Sequence, residues 1–292
     1  MEEFDALVTG GSGFLWKYVL GEPLGSRFRL CFLGRTPPGR DARFEWVDLA
    51  APAAGEGRNL RSLRSRFFLH FAAPTPGREN EFMLAASDRI AMNAAAIALR
   101  CGASRLIHAS SGAVYGRTWT AYRSEGDITA PATDYGRSKQ SAETILDAFF
   151  ADAAAGRHAT HLRLHFPAPA AAALVRAVAA GDCSRLFARL ARDLLSESTI
   201  RLEPPEFLMN PCPGGALVEL LELLLKGQDP PGRMLNVAGA RAVTLQQAVS
   251  ELGERLGKLP GFERGTGAPV SMLADTRSLR SMIGEAINLP LF

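Results

Sequence analysis

Tyr135-Gly136-Arg137-Ser138-Lys139 sets a phenol and an ammonium four residues apart, so a helix through them presents both on one face. A buried ammonium beside a phenol favours the phenolate and lowers its pKa from a reference of about 10. Tyr135 is therefore a candidate general acid/base toward a carbonyl or an alcohol. Ser111 ends an earlier apolar run, Leu106 to Ala109, and could hydrogen-bond the same substrate oxygen. Near the start of the chain, Thr9-Gly10-Gly11-Ser12-Gly13-Phe14-Leu15 lies between an apolar run (Ala6-Leu7-Val8) and a helix-compatible stretch, 14–20. Gly10 can supply a tight turn there, and Gly13 can let backbone approach a pyrophosphate. A turn and nothing more is the competing reading.

Other residues offer less. His70 ends an apolar run, where a packed or cofactor-adjacent imidazole is expected, and His108, His158, His161 and His165 lack metal-ligand spacing. Cys31, Cys101, Cys183 and Cys212 are far apart and form no CxxC pair, so they read as core fillers and no metal site is expected. No G-x-S-x-G elbow surrounds Ser111, which argues against a hydrolase. Arg185, Arg189 and Arg192 read as a solvated helix face, with contact to substrate phosphates as the alternative, and Arg176 and Arg201 are similar.

The elements that must position these groups alternate. Apolar runs at 6–9, 28–33, 44–47, 67–71, 106–109 and 161–166 read as strands, and 14–20, 86–100 and 135–150 read as helices. That alternation predicts an α/β fold, a doubly wound parallel sheet covered on both faces, with ligands beyond the carboxyl ends of its strands. Beyond residue 166 come helices at 168–180, 185–195, 216–226 and 244–256, a strand at 234–237, and loops at 203–215 and 259–269. The chain has 292 residues, 47% hydrophobic and 22% charged, enough for an ordinary core and unlike a disordered chain. Its formal charge of +3 is too small to imply a nucleic-acid partner. The acidic start, Met1-Glu2-Glu3, is unlike a signal peptide, and no 18-residue uncharged apolar run exists. A cytoplasmic location with no membrane partner is expected.

Thr9–Leu15, His70-Phe71-Ala72-Ala73, Ser110–Gly116 and Tyr135–Lys139 together resemble the extended short-chain dehydrogenases/reductases, the nucleotide-sugar epimerase/dehydratase group. Met234–Gly239, Val243-Thr244-Leu245 and Asp275-Thr276-Arg277 extend the resemblance over most of the chain, with 167–212 matching poorly. It implies a Rossmann domain over 1–166, to which 214–240 returns, and a small C-terminal substrate lobe from 167–213 and 241–292. It implies Ser111, Tyr135 and Lys139 as the catalytic set. A dinucleotide would meet Gly10, Ser12, Gly13, Phe14, Leu15, Asp48, Leu49, Ala72 and Ala73, together with Tyr135 and Lys139. A small-molecule substrate and a homodimer built from two helices per subunit are implied as well.

The departures narrow the reaction. The family's third glycine is Trp16 here, so either the helix shifts or the indole points away and cofactor still binds, or Trp16 obstructs the cofactor groove and leaves a non-catalytic protein. Gly34-Arg35 ends the second strand with no acid before Asp41, which favours NADP over NAD and hence a carbonyl reductase. A redox-neutral nucleotide-sugar epimerase with tightly bound NAD is the alternative. Gly112-Ala113 stand where sugar 4,6-dehydratases of the family carry Asp-Glu, so that elimination is not expected. Asn210–Gly215 replaces the acidic pair that the family places before its substrate-lobe helix.

Overall fold

The computed structural model describes residues 2–292 apart from 53, 55–57, 75–80, 117–120, 152–155 and 205. Nine strands build or extend the large sheet and its lobe in chain order: β1 (Glu2–Thr9), β2 (Leu30–Gly34), β3 (Phe44–Trp46), β4 (Leu63–His70), β5 (Arg105–Ser111), β6 (His158–Leu164), β7 (Ile200–Leu202), β8 (Phe207–Met209) and β9 (Met234–Val237). Three more follow: β10 (Val243–Thr244), β11 (Phe262–Arg264) and β12 (Val270–Met272). The α-helices are α1 (Gly21–Gly25), α2 (Glu81–Arg100), α3 (Asp134–Phe149), α4 (Ala171–Ala179), α5 (Leu186–Leu195), α6 (Gly214–Leu225), α7 (Leu245–Leu256) and α8 (Arg277–Ile283).

Seven strands form a parallel sheet in the order β3-β2-β1-β4-β5-β6-β9. Strand order reverses beside β1, which places a crevice at the carboxyl ends of β1 and β4. Alternate residues serve the two faces. Ala6, Val8, Phe32, Leu69, Ile107 and Leu162 pack with Trp16, α6 and α8, while Leu7, Cys31, Phe68 and Leu106 pack with α2 and α3. The inner strands are thus buried on both faces, as near-continuous apolar runs require, while the edge strand β3 leaves Trp46 exposed.

A smaller lobe gathers α4, α5 and α7 around a separate core with Phe187, Leu190, Met209 and Val249. Two small sheets, β10-β8-β12 and β11-β7, edge it. The 203–215 and 259–269 stretches are therefore not loops throughout, since they hold β8 and β11. Each is a three-residue strand whose pairing comes from distant chain, invisible to local composition.

Trp16 turns away from the groove, and the non-catalytic reading built on its obstruction does not survive. The indole is 5% exposed and meets the Phe32 ring edge-on at 4.9 Å. Residues 14–25 are helical throughout but π-wound over Trp16–Leu20, with the Gly21 N–H bonded to the Trp16 carbonyl. This wider winding lies just ahead of Pro23, which lacks the N–H that an α-helix would aim at Val19. Space for the indole comes from Gly21, where a Cβ would stand 3.0 Å from Trp16 Nε1. A glycine five residues later does the packing work of the missing one.

Candidate active site

The site forms where β5, β6 and α3 meet the lobe. Ser111 is the last residue of β5, and its Oγ accepts the Ala113 N–H at 3.2 Å, capping a 3₁₀ turn over Gly112–Tyr115. That bond uses an acceptor lone pair and leaves the hydroxyl hydrogen to donate. Thr133 caps α3 by accepting the Gly136 N–H at 3.1 Å. Gly136 lets this first turn press on the 3₁₀ turn, since a Cβ there would lie 2.6 Å from the Ala113 carbonyl oxygen. The close approach brings Tyr135, half-buried, to the same cavity as Ser111.

One turn on, Lys139 is 5% exposed and its Nζ donates to the Ala109 carbonyl at 2.7 Å, 6.0 Å from the centre of the Tyr135 ring. Burial lowers the Lys139 pKa from its usual value, the Tyr135 side opposes that shift and Arg185 adds to it. The next turn contributes Glu143, whose carboxylate is chelated by Arg163 at 3.0 and 2.8 Å and receives the Ser110 hydroxyl at 2.5 Å. Arg163 also donates to Tyr115 Oη at 2.9 Å, which donates in turn to Asn236 Oδ1 at 2.9 Å. This buried network ties α3, β5, β6 and β9 beneath the site. Sequence inspection passed over Glu143 and Arg163, although a carboxylate one turn beyond Lys139 on the same helix face was a readable signal.

The cavity has a volume of roughly 350 Å³. Ser111, Tyr135 and Lys139 line it with Phe14, Leu15, Phe71 and Ala73 on one side and Arg185 and Arg189 of the lobe on the other. Both arginines therefore face the site, while Arg192 pairs instead with Asp193. None of the described lining residues is Asp or Glu. His165 also lines it, buried and held neutral, its pKa pushed down to about 3 by burial and by Arg163.

The remaining cofactor candidates lie along the crevice. Gly10 has φ +79°, and a Cβ on it would come within 2.5 Å of the Phe71 backbone, so the turn passes directly over the end of β4. Ser12 and Gly13 are exposed, and the Gly13 N–H bonds back to the Gly10 carbonyl at 2.9 Å. Arg35 is exposed just beyond β2. Asp48 is half-buried with Oδ1 on the Ala50 N–H at 3.1 Å, Leu49 is buried, and Ala72 follows β4. Among the described residues no group of His, Cys, Asp and Glu could hold a metal ion, and no helix is long and apolar enough to cross a membrane.

Residues 6–182 match the model of the NAD dependent epimerase/dehydratase family. The chain belongs to that family. No curated protein matches it at the level of whole sequences. Among solved structures, MoeE5 in complex with UDP-glucuronic acid and NAD is similar, at 24% identity and a TM-score of 0.75, over 96% of this chain and 92% of that one. UDP-glucose 4-epimerase of Thermotoga maritima, with UDP-glucose, gives 19% and 0.77 over 97% and 93%. UDP-glucuronic acid 4-epimerase of Bacillus cereus, with UDP-glucuronic acid and NAD, gives 16% and 0.74 over 97% and 93%. As a member of the epimerase/dehydratase family, this chain is a nicotinamide-dependent enzyme. Its own residues fit such a cofactor: the tight turn at Gly10 sits against the Phe71 backbone, and Phe14 and Leu15, which follow that turn, line the cavity with Tyr135 and Lys139.

Proposed function

We propose that this enzyme performs redox chemistry at a carbinol or carbonyl carbon of a nucleotide sugar, with its dinucleotide retained so that the cycle is redox-neutral. The observation that carries the reading is the convergence of Ser111, Tyr135 and Lys139 on one cavity that Phe14 and Leu15, next after the glycine turn, also line. Tyr135 takes or gives the proton at the substrate oxygen, and Ser111 orients that oxygen through its free hydroxyl hydrogen. Lys139 holds positive charge behind the phenol and would hydrogen-bond the cofactor ribose. The bound nicotinamide supplies hydride transfer. Arg185 and Arg189, at the lobe edge of the cavity, suit a diphosphate. The UDP-sugar 4-epimerases among the structural neighbours favour this redox-neutral reading.

A second reading, net reduction of a carbonyl with NADPH, is favoured by Arg35 at the end of β2, where a 2′-phosphate would be met by a guanidinium. Release of the small molecules from denatured, freshly purified protein separates the two. A stoichiometric NAD in the supernatant supports the redox-neutral enzyme. Empty protein that then takes up NADPH in preference to NADH, with the preference reversed in Arg35→Asp, supports the reductase and overturns the first reading. A homodimer through α2 and α3 accords with exposed Met92 and Phe149 on those helices.

A further inference from the structure

Phe166, two residues beyond the end of β6, has φ +45°, a left-handed conformation that a bulky side chain adopts only under constraint. Pro167 follows it and restricts the residue before it further. The neighbouring hydrogen bonds account for the turn. The His165 carbonyl accepts the Cys212 N–H at 2.8 Å, and the Ala168 N–H donates to the Cys212 carbonyl at 2.8 Å. The two residues between, Phe166 and Pro167, are thrown out of that pairing as a bulge, and both line the active-site cavity. A bulge beside a site re-aims a side chain, here against an unfavourable backbone.

The strand order β1-β4-β5-β6 decides what Phe166 faces. Phe14 and Leu15 follow β1, and Phe71 and Ala73 follow β4, so the dinucleotide side of the cavity lies on one flank of Ser111, at the end of β5. Phe166 lies on the other flank, with the lobe. Its ring meets Phe207 of β8 edge-on at 5.5 Å, and Met272 of β12, the strand paired with β8, also lines the cavity. Leu164 and Phe187 extend this apolar wall. His165 is 1% exposed and pressed against Gly112, where a Cβ would stand 2.3 Å from its ring. The cations and hydroxyls of the cavity have other work: Ser111 and Tyr135 meet the reacting oxygen, Lys139 sits on the Ala109 carbonyl, and Arg185 and Arg189 suit a diphosphate. No Asp, Glu, Asn or Gln stands among the described lining residues to accept from further sugar hydroxyls.

We propose that the substrate's sugar ring carries a methyl-bearing substituent, an acetamido group or a deoxy carbon, and that Phe166 with Met272 selects it. This rests on the reading of the substrate as a nucleotide sugar. A hydroxyl or a carboxylate seated on this wall would lose its water with no partner in exchange, whereas a methyl group gains by leaving water. The bulge is what brings the Phe166 ring to the cavity. Asparagine tolerates a left-handed backbone better than phenylalanine does, so Phe166→Asn removes the wall and relieves the constraint together.

The test is calorimetric titration of NAD-saturated protein with UDP, UDP-glucose, UDP-N-acetylglucosamine, UDP-6-deoxyglucose and UDP-glucuronic acid. One of the two methyl-bearing sugars is expected to bind about tenfold or more tighter than UDP-glucose, and which of them does so identifies the substituent. Phe166→Asn should cut that preference to about twofold or less and leave the affinity for UDP alone unaltered, while Phe166→Leu keeps the preference. The melting temperature of Phe166→Asn should fall by less than about 5 °C, because constraint is released as packing is lost. A ring held only for packing would instead cost about 10 °C or more and leave the preference intact. UDP-glucose or UDP-glucuronic acid as the tightest ligand of the parent, or a preference that survives in Phe166→Asn, overturns the selection alone. Failure of UDP itself to bind overturns the nucleotide-sugar reading, and this inference with it.

Discussion

Replacing Trp16 by the glycine its family carries is expected to weaken the fold without opening anything. The indole is 5% exposed, packed on Phe32 and on the leucines of α6, and absent from the cavity lining. Truncating such a residue removes its contacts and leaves a cavity, a loss of about 3–5 kcal/mol for Trp→Ala. Glycine in a helical stretch adds about 1 kcal/mol relative to alanine. The total, about 4–6 kcal/mol, is a large share of the roughly 5–15 kcal/mol of a typical domain. It corresponds to a fall in melting temperature of roughly 10–20 °C. Urea or thermal unfolding of Trp16→Gly beside the parent, with calorimetric titration of both by NADPH and NADH, reads both quantities. The parent should bind, and the variant should be less stable with no gain in affinity. A variant of parental stability that binds dinucleotide when the parent does not would refute the placement of the indole in the core.

Tyr135→Phe should lower turnover by roughly 10²–10⁴-fold and leave dinucleotide binding intact, checked by steady-state rates and titration on one preparation. Glu143→Ala leaves the Arg163 guanidinium buried beside Tyr115 without its carboxylate, and should cost about 3–5 kcal/mol in urea unfolding. Acid should destabilise the protein well before its carboxylates titrate. Burial first, then the charge of Lys139 or Arg163 respectively, holds His70 and His165 neutral, with pKa values pushed down to about 3. Between about 6.5 and about 3 the unfolded chain binds protons that the folded one refuses, so stability is level above this window and falls on acidification within it. Each of the two contributes about 1.4 kcal/mol per pH unit. Unfolding free energies that stay level from pH 7 to pH 5 would contradict the burial of these rings.

The acid/base pair was legible because an i, i+4 spacing within one helix is a local property, and Ser111 because it closes a strand. The sheet was legible for the same reason: its strands are apolar runs bounded by glycine, proline and polar residues. What escaped notice depended on register. Thr9, His70, His108 and His161 are 61, 38 and 53 residues apart in turn and meet only because four strands align. A polar residue within each of four strands was the visible sign, and separate consideration of each histidine concealed it. Arg185 and Arg189 looked like a solvated face because helix periodicity says nothing of the lobe's position over the sheet. Trp16 could be placed only through Gly21, Pro23 and Phe32, a packing problem that spans the helix and β2.

Calorimetric titration of cofactor-free protein with NADPH and NADH, in the parent and in Lys139→Met, tests the central claim that the crevice from Gly10 to Tyr135 holds a nicotinamide dinucleotide. Saturable one-to-one binding by the parent, weakened about tenfold or more when the lysine is removed, is the predicted result, since a charged hydrogen bond to the ribose is worth about 1.5–3 kcal/mol. Binding of neither dinucleotide by folded parent protein would contradict it.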